Sequence, residues 1–362
     1  MSVGIICPYS LTLPGGVQQQ VLALGRLLRR RGVDATVLGP CDGAPPEPGV
    51  MPLGVSLPTA ANGSVAPVAP DLPAQLRTVA ALRDQAFDVL HLHEPLAPGP
   101  TMTALALKIA PMVGTFHAAG RSAAYKWLRP VTVSLGRQLA HRCAVSDGAR
   151  QMASSALGGE YEVLFNGVEL QPFREVEPWP TEAPTVFFLG RHEPRKGLAV
   201  LIGAMAELPA DVRLWVGGEG PDTERLRTQT GGDPRIEWLG RLSPTEKVAR
   251  LRGADVFCAP SLGGESFGIV LLEAMAAGTP VVASQLDGYA RVARGGRDAE
   301  LVPPGDASAT AAAIRAVLDD ESQAHRLAEQ GLARAESFSM ARLAARYEEI
   351  YELVRAREPV AR

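Results

Sequence analysis

Residues 255–284, "DVFCAPSLGGESFGIVLLEAMAAGTPVVAS", decide the fold class of this chain. An apolar strand pattern at 255–260 leads through a glycine-rich turn into an apolar helix at 265–277, and a second strand pattern follows at 280–284. A strand, a helix and another strand in this order form a β-α-β unit, in which the two strands lie parallel. The stretch therefore predicts an α/β fold with a parallel sheet.

The same alternation continues in both directions from this unit and fills the chain. Between two series of strand patterns, residues 171–184, "QPFREVEPWPTEAP", contain four prolines and no hydrophobic period, as expected for a linker. We therefore predict two doubly wound domains, each of which binds ligands where its strands end. The predicted strands are "VGIIC", "ATVLG", "DVLHLH", "PMVGTFH" and "RCAVS" in the first domain and "TVFFLG", "VRLWVG", "IEWLG", "DVFCAP", "PVVAS" and "AELVPP" in the second, with further helices near 197–208, 243–252 and 306–319.

Composition and charge favour a globular enzyme. The chain has 362 residues, of which 46% are hydrophobic and 21% charged, enough for two cores. A formal net charge of −3 gives no general attraction to nucleic acid or to an anionic membrane. The four cysteines form no C-x-x-C pair, which argues against a disulfide framework or a cysteine metal site. Because no signal-peptide pattern or long apolar run is present, we expect a cytoplasmic location.

A glycine pair follows the first predicted strand. Gly15 and Gly16 in "CPYSLTLPGGVQQQ" precede a helix whose apolar positions repeat at helical spacing. Backbone N–H groups at such a helix start can bind a diphosphate, since no side chains cover them. An ordinary turn is the alternative, because a glycine pair alone is common in turns.

Three cations crowd the turn after the first strand of the second domain. In "FLGRHEPRKG", Arg191 follows the strand, and Arg195 and Lys196 precede a helix. Arginine and lysine together can neutralise a diphosphate leaving group without a metal ion. A solvated loop with ordinary surface charges is the alternative.

Two carboxylates, Glu265 and Glu273, stand eight positions apart in the opening stretch. Glu265 stands at the turn and Glu273 two helical turns later, and this spacing places them on nearly the same face, within reach of one elongated ligand. Ionised carboxylates accept hydrogen bonds from the hydroxyl groups of a sugar and a ribose. In the alternative, Glu265 is a charge at a helix start and Glu273 a surface residue.

Histidines end two strands of the first domain. His91 and His93 share one face of "DVLHLH", and His117 follows "PMVGTF". A metal site at His91 and His93 is not predicted, because no carboxylate cluster accompanies them. Taken by itself, His117 is most simply a histidine at a strand end whose ring hydrogen bonds are satisfied within the fold.

Together these motifs resemble the retaining glycosyltransferases of family four, and among them the actinobacterial phosphatidyl-myo-inositol mannosyltransferases, which use GDP-mannose. The resemblance implies the GT-B architecture of two facing Rossmann-like domains: an acceptor domain at 1–170, a linker at 171–184, a nucleotide-sugar domain at 185–338 and a helix at 339–362 that crosses back. The motifs that carry it are the E-x7-E pair in the opening stretch, "CPYSLTLPGGVQ", "VLHLHEP", "TFH", "AVSDGAR", "NGVEL" and "LGRHEPRKG".

The resemblance also implies roles for single residues. Gly16 forms the diphosphate turn, and Arg191 and Lys196 clamp the diphosphate. Glu265 binds the sugar hydroxyls, Glu273 binds the ribose, and His117 is the active-site histidine. A divalent metal is not predicted, because the sequence has no D-x-D pair. The implied catalytic residues are His117, Arg191, Lys196 and Glu265; Ser266, Phe267, Gly268 and Ile269 complete the donor site, and Tyr9, Gln18 and Asn62 line the acceptor site.

The acceptor side departs from the family. Pro67 stands where those enzymes carry an arginine for the lipid phosphate, and residues 71–85 contain two arginines offset by two aspartates. We therefore expect weak peripheral membrane contact at most, chiefly through 121–137, where basic residues alternate with Tyr125 and Trp127; an ordinary connecting helix is the alternative there.

Three functions remain open at this point. The first is mannose transfer from GDP-mannose to phosphatidylinositol at the inner face of the membrane. The second is transfer by a soluble enzyme to a small polyol or natural-product acceptor. The third is a nonenzymatic nucleotide-sugar binder, against which the intact set of Arg191, Lys196, Glu265 and Glu273 argues.

Overall fold

A computed structural model describes residues 1–61, 64–118, 129–265 and 267–357. Contacts divide the chain into two compact units. The first unit comprises Met1–Gly167 together with Met340–Arg362, and the second comprises Val168–Ser339. The chain therefore leaves the first unit once and returns to it for its last helix.

The first unit is built on a seven-stranded sheet in which all neighbouring strands are parallel. An antiparallel hairpin of two further strands stands apart from it. The strands are β1 (Ser2–Ile6), β2 (Asp34–Gly39), β3 (Val50–Pro52), the hairpin strands β4 (Leu57–Ala61) and β5 (Ser64–Val68), β6 (Val89–His93), β7 (Met112–Phe116), β8 (His141–Ala144) and β9 (Glu162–Val163); the helices are α1 (Gly16–Arg30), α2 (Leu72–Gln85), α3 (Pro100–Leu107), α4 (Arg129–Gly136) and α5 (Asp147–Leu157).

The second unit is built on a six-stranded parallel sheet. Its strands are β10 (Thr185–Leu189), β11 (Arg213–Gly217), β12 (Ile236–Gly240), β13 (Val256–Ala259), β14 (Val281–Ser284) and β15 (Glu300–Val302), and its helices are α6 (Gln171–Glu175), α7 (Leu198–Ala204), α8 (Thr223–Gln229), α9 (Pro244–Gly253), α10 (Ile269–Ala276), α11 (Asp287–Val292), α12 (Ala307–Asp319) and α13 (Glu321–Ser337).

Both sheets reverse their winding direction at an interior pair of strands. The order is β3-β2-β1-β6-β7-β8-β9 in the first unit and β12-β11-β10-β13-β14-β15 in the second. The reversals fall between β1 and β6 and between β10 and β13. In doubly wound sheets the crevice at the carboxyl ends of such a strand pair is the usual ligand site. Topology therefore marks one candidate site in each unit.

The last helix, α14 (Met340–Arg357), belongs to the core of the first unit. Its buried face carries Tyr347, Ile350, Tyr351 and Val354, which pack with residues of α1, β1 and β6. Apolar and aromatic side chains recur every three or four positions along this helix, so one stripe faces the sheet. The helix that completes the core of the first unit is therefore synthesised after the whole second unit.

Three features differ from the sequence-based expectations. The predicted linker 171–184 begins with α6, whose Phe173 is buried in a core cluster of the second unit. The hairpin β4–β5 and the edge strands β3 and β9 were not anticipated. The helix predicted from residue 265 begins at Ile269, because Gly268 at its start adopts a left-handed conformation with φ of 107°.

None of the described helices is long and apolar enough to cross a membrane.

Candidate functional site

The candidate site of the second unit lies at the carboxyl ends of β10 and β13. The turn after β10 ends in a 3-10 helix, Pro194–Lys196, followed by Gly197 with φ of 69°. A Cβ atom on Gly197 would lie 1.8 Å from the carbonyl oxygen of Pro260, so only glycine permits this approach. Leu262 N–H also donates to the Arg195 carbonyl at 2.7 Å. The two turns are thus held in direct contact.

This contact brings a carboxylate between two cations. Glu265 Oε1 lies 2.6 Å from Lys196 Nζ and 3.2 Å from Arg195 Nη1. The hydroxyl of Ser261 approaches the same oxygen at 3.4 Å. Arg195 also pairs with Glu193 at 2.6 Å. Charge-assisted hydrogen bonds of this kind fix both partners in one geometry.

Arg191 is the more available cation of the turn. Its side chain is 49% exposed, and its Nε lies 3.8 Å from Glu193 Oε2. Three cations, Arg191, Arg195 and Lys196, face the two carboxylates Glu193 and Glu265, which leaves one formal positive charge. The turn can therefore attract an anion.

Glu273 lies on α10 and pairs with a different lysine. Its Oε1 accepts a hydrogen bond from Lys247 Nζ at 2.6 Å, with both side chains largely covered. Since helix α10 starts only at Ile269, Glu265 precedes the helix and the predicted common helical face does not exist. The two carboxylates instead belong to two separate ion pairs.

The residues between these carboxylates have mixed roles. Phe267 is buried and packs edge-on against Phe338 at a ring distance of 5.6 Å, so its side chain belongs to the core. Ile269 is partly buried against the same cluster. Gly268 and Ile269 lie at the start of α10, where the first backbone N–H groups of a helix have no α-helical acceptor. Ser266 lies outside the described residues.

The candidate site of the first unit includes the turn after β1. Gly16 is the first residue of α1, and Gly15 caps the helix in an extended conformation. Gln18 is buried and Tyr9 is half-buried, with Tyr9 bridging to Val68 of the hairpin. Asn62 lies outside the described residues. Tyr9 and Gln18 are thus both placed at this turn.

His117 follows β7 and is buried. A hydrogen bond of 2.8 Å joins its Nε2 to Nδ1 of His93, and the two rings stack. Burial lowers the pKa of His117 to about 3, so its ring is neutral at physiological pH. The backbone N–H of His117 donates to the Glu94 carboxylate at 2.6 Å.

His91 is occupied by structural partners. One ring nitrogen lies 2.7 Å from the Tyr351 hydroxyl and the other 2.7 Å from the Thr115 hydroxyl. In the part of the chain that the structure describes, no group of three or more histidine, cysteine, aspartate or glutamate residues could hold a metal ion. His91 therefore anchors α14 to the sheet.

Comparisons with known proteins decide the family. Residues 14–172 match the family described as Glycosyltransferase Family 4, and residues 171–334 match Glycosyl transferases group 1. The phosphatidyl-myo-inositol mannosyltransferase of Mycobacterium leprae is 42% identical over 98% of this chain and 97% of its own length. The protein of the same name from Mycolicibacterium smegmatis is 39% identical over 98% of this chain and 94% of its own length. The chain belongs to glycosyltransferase family 4.

Solved structures confirm the fold of this family-4 glycosyltransferase. Sucrose-phosphate synthase from Thermosynechococcus elongatus superimposes with a TM-score of 0.78 at 22% identity, over 98% of this chain and 99% of that one. Anabaena HepE in complex with UDP gives a TM-score of 0.75 at 20% identity, over 97% and 100%. The predicted GT-B fold class, with parallel sheets in two units, is correct.

Sequence reasoning missed Lys247 and Glu94 and did not predict the contacts of Arg195 and His93. Lys247 pairs with Glu273, and Arg195, predicted only as a cation of the turn, also pairs with Glu265. His93 and Glu94 both contact His117. The signal for the last two was their place at the end of a predicted strand, in "HLHEP".

Proposed function

We propose that this glycosyltransferase moves mannose from GDP-mannose to the inositol of phosphatidyl-myo-inositol, with retention of configuration. The observation that carries the proposal is the Lys196–Glu265 pair at 2.6 Å, placed where the second sheet reverses its winding. The names of the relatives at 39–42% identity support the sugar and the acceptor.

In this proposal the second unit holds the nucleotide sugar. Arg191 and Lys196 bind the diphosphate, and the backbone at the start of α10 adds N–H donors. Glu265 accepts hydrogen bonds from the sugar hydroxyls, and Glu273 from the ribose. Lys247 restrains the Glu273 carboxylate through their 2.6 Å contact. In the first unit, Gly16 supplies the diphosphate turn.

Retention requires either a carboxylate nucleophile or attack on the same face as the departing group. In this proposal Glu265 accepts hydrogen bonds from the sugar hydroxyls, so it is not assigned the part of a nucleophile. We infer same-face attack: the acceptor oxygen bonds to the anomeric carbon as the bond to the diphosphate breaks, and the departing phosphate oxygen takes the acceptor's proton. Arg191 and Lys196 stabilise the charge that develops on the diphosphate.

The acceptor is proposed to bind at the turn after β1, near Tyr9 and Gln18. A second candidate function, transfer to a soluble polyol, is favoured by Pro67. This residue offers no charge to a lipid phosphate, and its carbonyl accepts the Ser10 N–H at 2.9 Å, next to Tyr9.

A donor and acceptor screen tests both candidates. Purified protein is incubated with GDP-mannose, UDP-glucose or GDP-glucose and with phosphatidylinositol vesicles, free inositol or buffer, and the products are identified by mass spectrometry. The proposal predicts mannosyl-phosphatidylinositol from GDP-mannose alone. Mannosyl-inositol without the lipid product would support the second candidate, and binding without transfer or hydrolysis of any donor would overturn both.

We also propose that peripheral membrane contact uses an apolar patch in place of a basic one. The segment 121–128 lies outside the described residues. Leu72 and Leu76 of α2 are 66% and 60% exposed, and Val55 and Leu57 before and in β4 are exposed as well. Arg77 Nε of α2 donates to the Leu53 carbonyl at 3.0 Å, which holds the residues just before β4 against α2. We define the apolar patch as Val55, Leu57, Leu72 and Leu76.

Vesicle sedimentation tests the patch. Burial of apolar side chains in the interface is insensitive to salt, whereas attraction of basic residues is screened. We expect binding to phosphatidylinositol-containing vesicles to persist at high salt and to fall at least fivefold in Leu72→Ser with Leu76→Ser. The matched control is Leu332→Ser, an exposed leucine of the second unit. Binding that is lost at high salt but kept in the double variant would refute the patch.

A further inference from the structure

Two residues at the end of β6, His93 and Glu94, have no part in the proposed chemistry. Strands β6 and β7 are neighbours, with His93 opposite Thr115. Glu94 N–H donates to the Thr115 carbonyl at 2.8 Å, which extends the ladder one residue past β6. The residues that follow the two strands are therefore held side by side.

Glu94 binds the backbone beyond β7. It is 4% exposed and adopts a left-handed conformation with φ of 48°. Its Oε1 accepts the N–H groups of His117 at 2.6 Å and Ala118 at 2.5 Å. These are the first two N–H groups after the end of β7, and Glu94 gives both an acceptor in a buried place. A non-glycine residue with positive φ carries a cost, which the surrounding contacts must offset.

His93 binds the ring of His117. The rings stack at a centroid distance of 5.1 Å and an interplanar angle of 28°, and the 2.8 Å hydrogen bond links their edges. His93 is 2% exposed, and its Nε2 is buried without a hydrogen-bond partner among the described residues. The hydrogen bond to His117 is therefore the polar contact that orients the His93 ring.

The two contacts act on the same residue from two sides. In a neutral imidazole one nitrogen is a donor and the other an acceptor, and the partner of one nitrogen selects the tautomer. Burial keeps both rings neutral, because it lowers the pKa of His93 and of His117. Only one of the two facing nitrogens can carry the proton of this hydrogen bond, so the tautomer of His117 is coupled to that of His93.

We propose that Glu94 and His93 are positioning residues for His117, Glu94 by fixing its backbone and His93 by fixing the orientation and tautomer of its ring. This inference rests on the proposed function in that His117 is taken as the active-site histidine that the family resemblance implies. It assigns a purpose to two buried polar side chains that would otherwise only cost desolvation.

Kinetics of Glu94 variants supply the first test. Glu94→Gln retains an oxygen that can accept both N–H groups, whereas Glu94→Ala removes it. We expect kcat within threefold of the parent for Glu94→Gln and at least 30-fold lower for Glu94→Ala, with GDP affinity within twofold in both. The control Glu162→Ala removes a carboxylate that pairs with Arg346 elsewhere in the first unit and should leave kcat within threefold. Equal kcat in Glu94→Ala and the parent would overturn the role of Glu94.

Nitrogen-15 NMR of histidine side chains supplies a test that needs no activity. The six histidines are labelled, and His117→Gln identifies the signals of His117. We expect one protonated and one bare ring nitrogen for His117 in the parent and in His93→Asn, whose amide occupies the place of Nδ1. In His93→Leu the two nitrogen shifts should converge as the tautomers mix.

The two tests separate the inference from the proposed function. If no donor is turned over but the His117 signals respond to His93 as expected, the proposed function fails and the positioning of His117 stands. An unchanged tautomer in folded His93→Leu would overturn the role of His93, whatever the activity.

Discussion

Glu265 is central to the proposed donor site, because one of its carboxylate oxygens pairs with two cations of the turn that follows β10. A diphosphate entering the turn would compete with Glu265 for Lys196 and Arg195. The carboxylate would then be released to bind sugar hydroxyls. Lys196 and Arg195 would thus exchange the Glu265 carboxylate for the diphosphate while staying in the turn, so little reorganisation is needed.

Lys196→Ala should lower kcat at least 100-fold, equivalent to about 2.7 kcal/mol in the barrier. The side chain carries charge in a turn and does not fill the core, so the urea unfolding midpoint should change little. Arg174→Ala, which removes an exposed ion pair with Glu336 in the same unit, is the control. Activity of Lys196→Ala within about twofold of the parent, below about 0.4 kcal/mol, would show that Lys196 does not act on the diphosphate.

Glu273→Gln and Glu265→Gln should affect different parts of the donor. Calorimetric titration of Glu273→Gln should show at least tenfold weaker GDP binding, since the ribose belongs to the nucleotide. Glu265→Gln should weaken GDP-mannose while GDP binds as well as before or more tightly, because Lys196 loses its competing carboxylate. Similar losses for both ligands in both variants would contradict this division.

The sequence predicted which residue types the site contains but not how they pair. Lys196 and Glu265 stand 69 positions apart, and the motifs gave no sign that Arg195 shares the same oxygen. The contacts of Glu94 were equally hidden, because they are made with two backbone N–H groups just past the end of β7. Pairings of this kind follow from the sheet order, which periodicity does not reveal.

Among the elements, the interior strands of both sheets and the two edge strands of the second sheet were predicted, whereas the edge strands β3 and β9 of the first sheet and the hairpin were not. The core strands read as short runs of valine, isoleucine, leucine and phenylalanine, as parallel strands do. The hairpin β4–β5 was missed because Pro58 and Pro67 lie opposite each other in it, and proline argues against a strand. In the predicted linker, four prolines obscured the helix around Phe173.

In the second half of the predicted linker, residues 171–184, Trp179 packs against an arginine that lies between two tryptophan rings. The Arg250 guanidinium of α9 lies 4.0 Å from the ring centre of Trp179 and 4.4 Å from that of Trp215. The backbone N–H of Trp179 also donates to the Ala249 carbonyl at 2.8 Å. A cation over two aromatic faces in a buried place is worth about 2 kcal/mol or more.

Arg250→Ala should therefore reduce the free energy of unfolding of the second unit by about 2–4 kcal/mol. The control is Arg227→Ala, which removes one exposed contact with Trp238 and should cost less than about 1 kcal/mol. Urea unfolding followed by tryptophan fluorescence measures both. Equal losses in the two variants would mean that the double stacking contributes nothing.

At the scale of the whole molecule, buried neutral histidines should make the protein sensitive to acid. Burial lowers the pKa of His91 and His117 to about 3 and that of His93 well below its usual value. Below about pH 6.5 the unfolded chain binds protons that the folded chain does not, so stability falls as the pH falls. Each histidine contributes up to about 1.4 kcal/mol per pH unit.

Glu94 acts with the opposite sign, because burial raises the pKa of its carboxyl. It therefore reduces the acid slope between its unfolded and folded pKa values. Urea titrations from pH 7 to 4 should show a net loss of unfolding free energy. In His91→Gln the number of protons taken up on unfolding, which sets the slope with pH, should be smaller by about one. The control His325→Gln, on an exposed position of α13, should leave the slope unchanged. Stability independent of pH over this range would contradict neutral burial.

The return of the chain into the first unit sets an order on its synthesis. Residues 168–339 form the second unit without interruption, so it can fold as soon as it leaves the ribosome. The first unit cannot close its core until Tyr347 and Tyr351 are made, although its sheet was finished at β9. At about 5–20 residues per second this delay lasts on the order of 10–40 s, during which α1, β1 and β6 expose the surface that α14 will cover. The half made first is therefore the half that becomes native last, and a nascent chain stalled before residue 340 should recruit chaperones through its N-terminal part.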